Sequence, residues 1–376
     1  MRVRPLAVGS LAAVGSVAPA AGSARAENET GLDLYYFSQA DHGGQAYRAE
    51  GMSYGGLRYS LRYAIDPELT FTFNVAGSFI DNDDPVTLPD PLGASVTTQA
   101  SARIIALDAQ TLFRYAPRHA AWSLVTGPYY HHQRRFVSLG ADLQGDYAMA
   151  GGDTTLSLGY SLRVAWVKER GWDNTWHPWD RLYSHNFELS LAQNLSPSVM
   201  VSLGAQLSVQ RGPMTDQFTY VVLYDGAGVP ASLGFESLPR ERDRVQVNAR
   251  GRWSPRLGLS LGLDLSAYTD TWDIKHAAAE PSLELPLGDD VRLRLWYRFA
   301  GQTAARYFDA HPEAAARFQT EDSDLGSFFL HGPGALVTFP WGGEELRWVG
   351  RVTAFAFFRS DGIQAAGMDF GIGAEW

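Results

Sequence analysis

The chain has 376 residues, with 31 Lys+Arg against 41 Asp+Glu and a formal net charge of -10, which argues against nucleic acid as a partner. It contains no cysteine, which excludes disulfides, thiolate metal sites and cysteine nucleophiles. Although 45% of the residues are hydrophobic, no stretch approaches the roughly 20 apolar residues that a membrane-spanning helix needs. A membrane protein of this composition would have to cross with strands.

The N-terminus has the pattern of an export signal. Arg2 and Arg4 precede a weakly apolar Ala/Val/Leu run, which ends in Ala24-Arg25-Ala26, an A-x-A-like cleavage site. We therefore expect residues 1–26 to be a cleaved signal peptide and the mature chain to begin at residue 27. No cysteine follows the cleavage site, so a lipoprotein anchor is not expected.

Apolar and polar residues alternate with a period of two along most of the mature chain. The clearest segments are LRYSLRYAI (57–65), LTFTFNVAGSF (69–79), TLSLGYSLRVAW (155–166), LGLSLGLDLS (257–266) and VRLRLWYRF (291–299). Alternation of this kind predicts β-strands with one apolar face and one polar face. Several segments reach roughly 10 residues or more, which is the length that a tilted strand needs to cross a bilayer.

The connections between these segments also alternate, in length. Short turns such as Asp66-Pro67 and Ser196-Pro197-Ser198 are followed by longer polar connections such as Pro213–Pro239 and Gly301–Asp322, with two short exceptions near His131 and Thr269. This pattern is typical of an all-β, antiparallel up-and-down transmembrane β-barrel, here with about 16 strands (14–18) and both termini on the short-turn side. We therefore expect residues 27–376 to form a single outer-membrane β-barrel domain. Aromatic residues at strand ends predict an interfacial girdle: Tyr129, Tyr130, Trp166, Trp253, Trp272 and Trp376.

The last segment, GMDFGIGAEW, predicts the strand that closes the barrel. Phe370, Ile372 and Trp376 share its apolar face, and Asp369 and Glu375 lie on the other. Pairing of this strand with the first one would leave no free sheet edge, with the Trp376 ring at the membrane interface.

The C-terminal half resembles an uncharacterised family of Gram-negative outer-membrane β-barrels, catalogued as a domain of unknown function. The resemblance covers roughly Ser237 to Phe339. It rests on YTDTWDI, with Tyr268, Asp270 and Trp272, and on WYRFAGQTAARYF, with Tyr297, Arg298, Gln302, Ala305 and Tyr307. The first motif lacks the arginine that the family has after its tyrosine. The resemblance implies a barrel in the bacterial outer membrane and no established activity.

Charged residues fall on the polar faces of the strands and are expected to line the lumen. They are Arg58, Arg62, Arg163, Arg244, Arg250, Arg252, Asp264, Glu284, Arg292, Arg294 and Arg298. One hypothesis is a lining that selects anions, as rings of arginine do. The alternative is a ladder of cross-strand ion pairs that stiffens the wall, and the acidic strands between the basic ones favour it.

The predicted outer loops offer fewer signals. Trp172, Trp176 and Trp179 are candidates for binding a ligand, although an aromatic cluster that roots the loop on the barrel rim is the better expectation. His131 and His132 are adjacent on a strand and point to opposite faces, so they are not expected to share a metal. The segment Ala304 to Phe318 is predicted as a short helix that either enters the lumen or lies across its mouth.

Three functions remain open from the sequence. The leading one is a porin-like channel or docking barrel for a small polar solute or for a periplasmic or surface partner. The alternative is a non-conducting surface barrel that binds a ligand or a cell through Trp-rich loops, and the third is a barrel-borne hydrolase. We see no defined catalytic set, metal site or cofactor, and expect outer-membrane lipid and the barrel-assembly machinery as partners.

Overall fold

The computed structural model describes residues 28–41, 51–83, 85–89, 95–99, 102–169, 175–215, 220–288, 290–343 and 345–376. The predicted signal peptide, residues 1–26, and the loop residue Trp172 lie outside the described residues. Within them, no helix is long and apolar enough to cross a membrane.

Sixteen of the described strands form one closed antiparallel barrel. These strands are β1 (Glu29–Asp41), β2 (Gly51–Ala64), β3 (Leu69–Asp83), β6 (Ala102–Tyr115), β7 (Trp122–Gln133), β8 (Phe136–Met149), β9 (Thr154–Val167), β10 (Asp180–Ser196), β11 (Val199–Arg211), β14 (Glu241–Arg256), β15 (Leu259–Asp270), β16 (Lys275–Pro286), β17 (Arg292–Gln302), β18 (Phe328–Gly342), β19 (Arg347–Arg359) and β20 (Ile363–Glu375). Two small hairpins, β4 (Pro85–Pro89) with β5 (Ser95–Gln99) and β12 (Tyr220–Tyr224) with β13 (Pro230–Phe235), stand outside the barrel. The predicted fold class and strand number are confirmed.

The barrel strands are long enough to cross a bilayer, from 11 residues in β17 to 17 in β10. Their outer face is apolar: Leu34, Leu158 and Leu203 are 55%, 57% and 62% exposed. Side chains of this size would not be stable in contact with water over the whole outer surface, so the face requires lipid. The polar residues that alternate with them face the lumen.

Each barrel strand pairs with the next one along the chain, and β20 closes the ring on β1 from Glu29↔Glu375 to Asp41↔Ile363. The predicted closing strand is therefore confirmed. Phe370 and Ile372 lie on its outer face, and the backbone of Trp376 continues the pairing through two hydrogen bonds with Asn28, of 3.1 and 3.2 Å.

The two ends of the barrel differ in their connections, as predicted. At the end that holds both termini, the connections are short. The shortest is residues 197–198, and the longest is residues 116–121. At the opposite end, which we call the outer end, the longest connections are residues 212–240 and 303–327. Residues 360–362 form a third short outer turn besides the two expected ones.

Two residues of the predicted aromatic girdle lie elsewhere. Trp272 is only 1% exposed and packs among outer loops, and Tyr129 faces the lumen, where its hydroxyl donates to Asp108 over 2.8 Å. The exposed aromatic residues of the opposite rim include Tyr115 and Trp122, with ring centroids 5.8 Å apart. A tryptophan or tyrosine at a strand end therefore does not by itself mark the membrane interface.

Candidate functional site

One sector of the inner wall carries more arginine than carboxylate, and we call it the arginine wall. It consists of Arg250 and Arg252 on β14, Asp264 on β15, Glu280 and Glu284 on β16, and Arg292, Arg294 and Arg298 on β17. These residues alternate with the apolar residues of the outer face, so their side chains share the lumen. Five arginines against three carboxylates leave the sector with a formal charge of +2.

The pairing within the arginine wall is uneven. Asp264 accepts from Arg250 Nε at 2.6 Å and from Arg252 Nη2 at 2.7 Å, so two arginines are held by one carboxylate. Arg294 and Arg298 approach Glu280 only at 3.8 Å, which is beyond hydrogen-bond distance. Their guanidinium donors are therefore the ones best placed to bind an anion in the lumen.

The structure thus contains elements of both hypotheses for the inward arginines. The Arg250–Asp264–Arg252 cluster is a cross-strand ion-pair ladder, and Arg292 lies 3.5 Å from Glu284 in the same ladder. Arg244 lies toward the outer end, where its Nη2 donates to Gln210 Oε1 over 2.6 Å. The arginine wall nevertheless contains fewer carboxylates than arginines, so a net positive charge faces the lumen.

The wall that faces the arginine wall holds a different cluster. β6 and β16 are eight strands apart in the ring of 16 and therefore lie on opposite sides of the lumen. On β6, Asp108 accepts from Tyr129 Oη and contacts His131 Nδ1, both at 2.8 Å. Arg163 extends across Gly140 to pair with Asp142 at 2.6 Å and to stack over the Tyr129 ring at 4.3 Å. The positive charge of Arg163 is thereby balanced by Asp142 within this wall.

The seam between the last and first strands has its own ion pair. Asp33 on β1 and Arg351 on β19 meet at 3.3 Å across β20, and Gly371 is the residue that they pass over. A Cβ atom at Gly371 would collide with Asp33 Oδ1. The predicted seam arginines lie beside this pair: Arg58 is the register partner of Asp33, and Arg62 that of Glu29.

At the outer end, the described parts of three connections pack into one unit, which we call the outer-loop assembly: residues 212–215 and 220–240, 271–274, and 303–327. Its centre is a buried ion pair between Arg242 (3% exposed) and Asp270 (0% exposed). Asp270 also accepts from the backbone N–H groups of Trp272 (2.9 Å) and Ile274 (3.1 Å), and so shapes the turn between β15 and β16. The Trp272 ring lies 4.3 Å from the Arg242 guanidinium and covers the pair.

Residues of the motifs YTDTWDI and WYRFAGQTAARYF meet in the outer-loop assembly. The Tyr268 hydroxyl donates to Gln302 Oε1 over 3.2 Å, and Gln302 Nε2 donates to the carbonyls of Asp324 (2.7 Å) and Gly326 (3.1 Å). Tyr307 packs edge-on against Trp272 with ring centroids 6.1 Å apart. The two motifs are therefore parts of one structure.

The segment Ala304 to Phe318 is not a helix, and this prediction is wrong. It runs irregularly from Ala305, whose N–H donates to Leu325 O over 2.7 Å, to Pro312, whose carbonyl accepts from Tyr224. These partners lie in other parts of the outer-loop assembly, so tertiary hydrogen bonds replace the local ones of a helix. The segment lies at the mouth of the barrel, with the other outer connections.

The described part of the Trp-rich loop packs on the barrel rim, in line with the expectation of an aromatic cluster that roots this loop. Arg135 stacks on the Trp176 ring at 3.3 Å, and Lys168 lies 5.4 Å from the Trp179 ring. Nearby, Asp180 pairs with Arg240. Burial raises the pKa of Glu169 in this loop above its ordinary value, and Asp180 adds to the rise while Arg240 opposes it.

Four histidines of the described residues, at 131, 132, 185 and 331, lie against different acid or aromatic partners. Among the described residues, no group of three His, Asp or Glu side chains could hold a metal ion. His131 faces the lumen against Asp108, whereas His132 stacks on Tyr130, with ring centroids 6.4 Å apart. The ring nitrogens that form hydrogen bonds contact acid or tyrosine side chains: His131 with Asp108, His185 with Tyr160 and His331 with Tyr297.

Sequence reasoning missed three partners of the predicted residues. Glu280 was not counted in the lumen, although it directly follows the run of alanines at 277–279 and lies on the inward face. Arg351 and Arg242 were missed because their partners, Asp33 and Asp270, come from other strands. Only the strand register brings these groups together.

A closed ring of 16 strands with an apolar outer face and a charged inner wall defines this protein as a transmembrane β-barrel. Residues 115–323 match the family described as a protein of unknown function, DUF3570. Since the match spans more than half of the chain, the protein belongs to that family. The match begins far upstream of Ser237, where the resemblance in the sequence became clear.

Several solved structures are similar in fold. Pseudomonas aeruginosa OccK1 (OpdK) is 10% identical over 93% of this chain and 98% of its own, with a TM-score of 0.45. A Pseudomonas aeruginosa FadL homologue is 9% identical over 93% and 90%, with a TM-score of 0.44. The Pseudomonas putida toluene transporter TodX is 11% identical over 93% and 88%, with a TM-score of 0.41. Likenesses this distant carry no inference about the function of the present chain. No curated protein matches its sequence.

Proposed function

We propose that this protein is a channel of the bacterial outer membrane that conducts small anionic solutes. The observation that carries the proposal is the arginine wall, where five arginines face three carboxylates on the lumen side of β14 to β17. Inward arginine attracts and steers anions through a pore. The whole chain is acidic, so the positive sector is a local feature of the lumen.

The size of the barrel supports conduction. In a ring of 16 strands, side chains alone do not fill the interior, and barrels of this size hold an aqueous channel unless a segment plugs them. The outer-loop assembly lies at one mouth of the barrel. In this proposal the protein acts by passage, without catalysis, and its Trp176 and Trp179 rings serve to anchor a loop.

The test is planar-bilayer conductance of the refolded mature chain under a potassium chloride gradient. We expect stable current steps and a reversal potential whose sign shows that chloride crosses more readily than potassium. Replacing Arg294 and Arg298 by Gln removes the net charge of the arginine wall and should shift the reversal potential toward zero. The matched control replaces Arg118 and Arg317, two exposed arginines of the connections, and should leave selectivity unchanged.

Two results would overturn the proposal. One is electrical silence from protein whose far-UV circular dichroism and heat-modifiable gel migration show a folded barrel. The other is selectivity for potassium, which would mean that carboxylates dominate the field in the lumen.

A further inference from the structure

A row of aromatic side chains crosses the inner wall next to the arginine wall. The strand register places Trp296 on β17 opposite Gly334 on β18, then Phe355 on β19, Gly367 on β20 and Phe37 on β1. Trp296 lies on the same face as Arg294 and Arg298, two positions from each, so the row faces the lumen. Aromatic and glycine residues thus alternate across five neighbouring strands.

The glycines let the rings lie against the wall. A Cβ atom at Gly334 would collide with the indole of Trp296, and a Cβ atom at Gly367 would collide with the ring of Phe355. Each ring therefore covers the backbone of the neighbouring strand instead of projecting into the lumen. A ring in this position can turn one face toward a solute.

The row adjoins the charges that are best placed to bind anions. The Arg294 guanidinium carbon lies 5.8 Å from the centroid of the Trp296 ring. Arg298 lies two residues after Trp296, on the same face of β17. From Trp296 the apolar surface continues to Phe355, whose ring centroid is 6.3 Å from that of Phe37 and 5.1 Å from that of Phe357. Guanidinium donors and flat aromatic faces thus meet at Trp296.

A lumen that only passes hydrated ions needs polar walls and gains nothing from a row of three aromatic side chains. We infer that the Trp296–Phe355–Phe37 row, together with Arg294 and Arg298, is a binding strip for aromatic carboxylates. The arginines bind the carboxylate and the flat rings stack on the aromatic body of the solute. This inference rests on the proposed function and names the class of anion that it favours.

The test compares two acids in detergent micelles by titration calorimetry. Benzoate and cyclohexanecarboxylate carry the same charge and similar bulk, but only benzoate has a π face. We expect benzoate to bind on the order of two- to tenfold more tightly, the size of an aromatic pair. Trp296→Leu and Phe355→Leu should each reduce the preference. Phe370→Leu, on the outer face of β20, is the matched control and should keep it.

The outcomes separate the inference from the proposed function. Equal binding of the two acids, or a preference that survives both inward substitutions, overturns the inference, even if chloride currents are normal. Preferential binding of benzoate without any current would support the strip and refute conduction. As a second readout, benzoate should block the chloride current of the wild-type channel at lower concentration than cyclohexanecarboxylate does.

Discussion

The buried ion pair at the centre of the outer-loop assembly gives the sharpest stability prediction. Asp270→Ala removes a carboxylate that pairs with the Arg242 guanidinium, which is 3% exposed, and the acceptor of two backbone N–H groups. Removing one member of a buried pair typically costs about 3–5 kcal/mol, because the remaining charge stays buried after it loses its oppositely charged neighbour. The cost should fall on the outer-loop assembly, where Trp272 packs over the pair.

Hydrogen exchange of the refolded protein in micelles measures this effect. A loss of about 3–5 kcal/mol corresponds to roughly a hundred- to several-thousand-fold larger population of the opened assembly. We expect amide exchange at Trp272, Ile274 and Ala305 to accelerate by that factor. Asp270→Asn should have a smaller effect, because its side-chain oxygen can still accept from the backbone.

The chain offers a matched control in the neighbouring pair Arg211–Asp243. These side chains are 42% and 38% exposed, so Asp243→Ala should cost no more than about 1 kcal/mol. The reasoning fails if Asp270→Ala accelerates exchange no more than Asp243→Ala does. That result would mean that water reaches the Arg242–Asp270 pair and that the outer-loop assembly opens readily without any substitution.

Three further predictions address the seam, the Trp-rich loop and the closing strand. Gly371→Leu should weaken barrel closure by about 1–3 kcal/mol in urea titrations, because its side chain overlaps the seam ion pair, whereas Gly145→Leu, in open space, should be tolerated. Since the pKa of Glu169 is raised, its loop should be most stable below the ordinary glutamate range and lose stability as the pH rises through the raised value. Glu169→Gln should abolish that loss in exchange measurements against pH, and Glu345→Gln, on an exposed turn, should not. Trp376→Ser should lower the yield of assembled barrel in membranes far more than folding in detergent, and equal membrane yields would contradict an anchoring role at the end of the chain.

Local pattern was sufficient to predict the barrel. The period of two, interrupted by Pro, Gly and Asp at regular spacing, specifies strands and turns without knowledge of any distant contact. The strand count was right because each long strand brings its own alternation and its own turn. The inward residues followed from the same periodicity, which is why Arg294 and Asp264 could be placed in the lumen.

The predictions that failed depend on contacts between strands. Trp272 and Trp253 look alike in the sequence, each near the end of an alternating segment. Trp272 is nevertheless buried because Arg242 on β14 and the apolar side chains of the outer-loop assembly pack against its ring. The alanines at 314–316 favour a helix locally, but the backbone of the segment bonds to groups outside it, with Ala305 donating to Leu325 and Pro312 accepting from Tyr224, and the segment stays irregular.

The ion pair that crosses Gly371 also has a consequence for the order of assembly. Asp33 and Arg351 are separated by 318 positions along the chain, so their contact cannot form until nearly the whole polypeptide has been synthesised and its strands have aligned. Until then β1 and β20 are both unpaired edges, able to join strands of other chains. Closure of this seam is therefore expected to be the last step in forming the barrel, and both edges stay open to other strands until the last strand arrives.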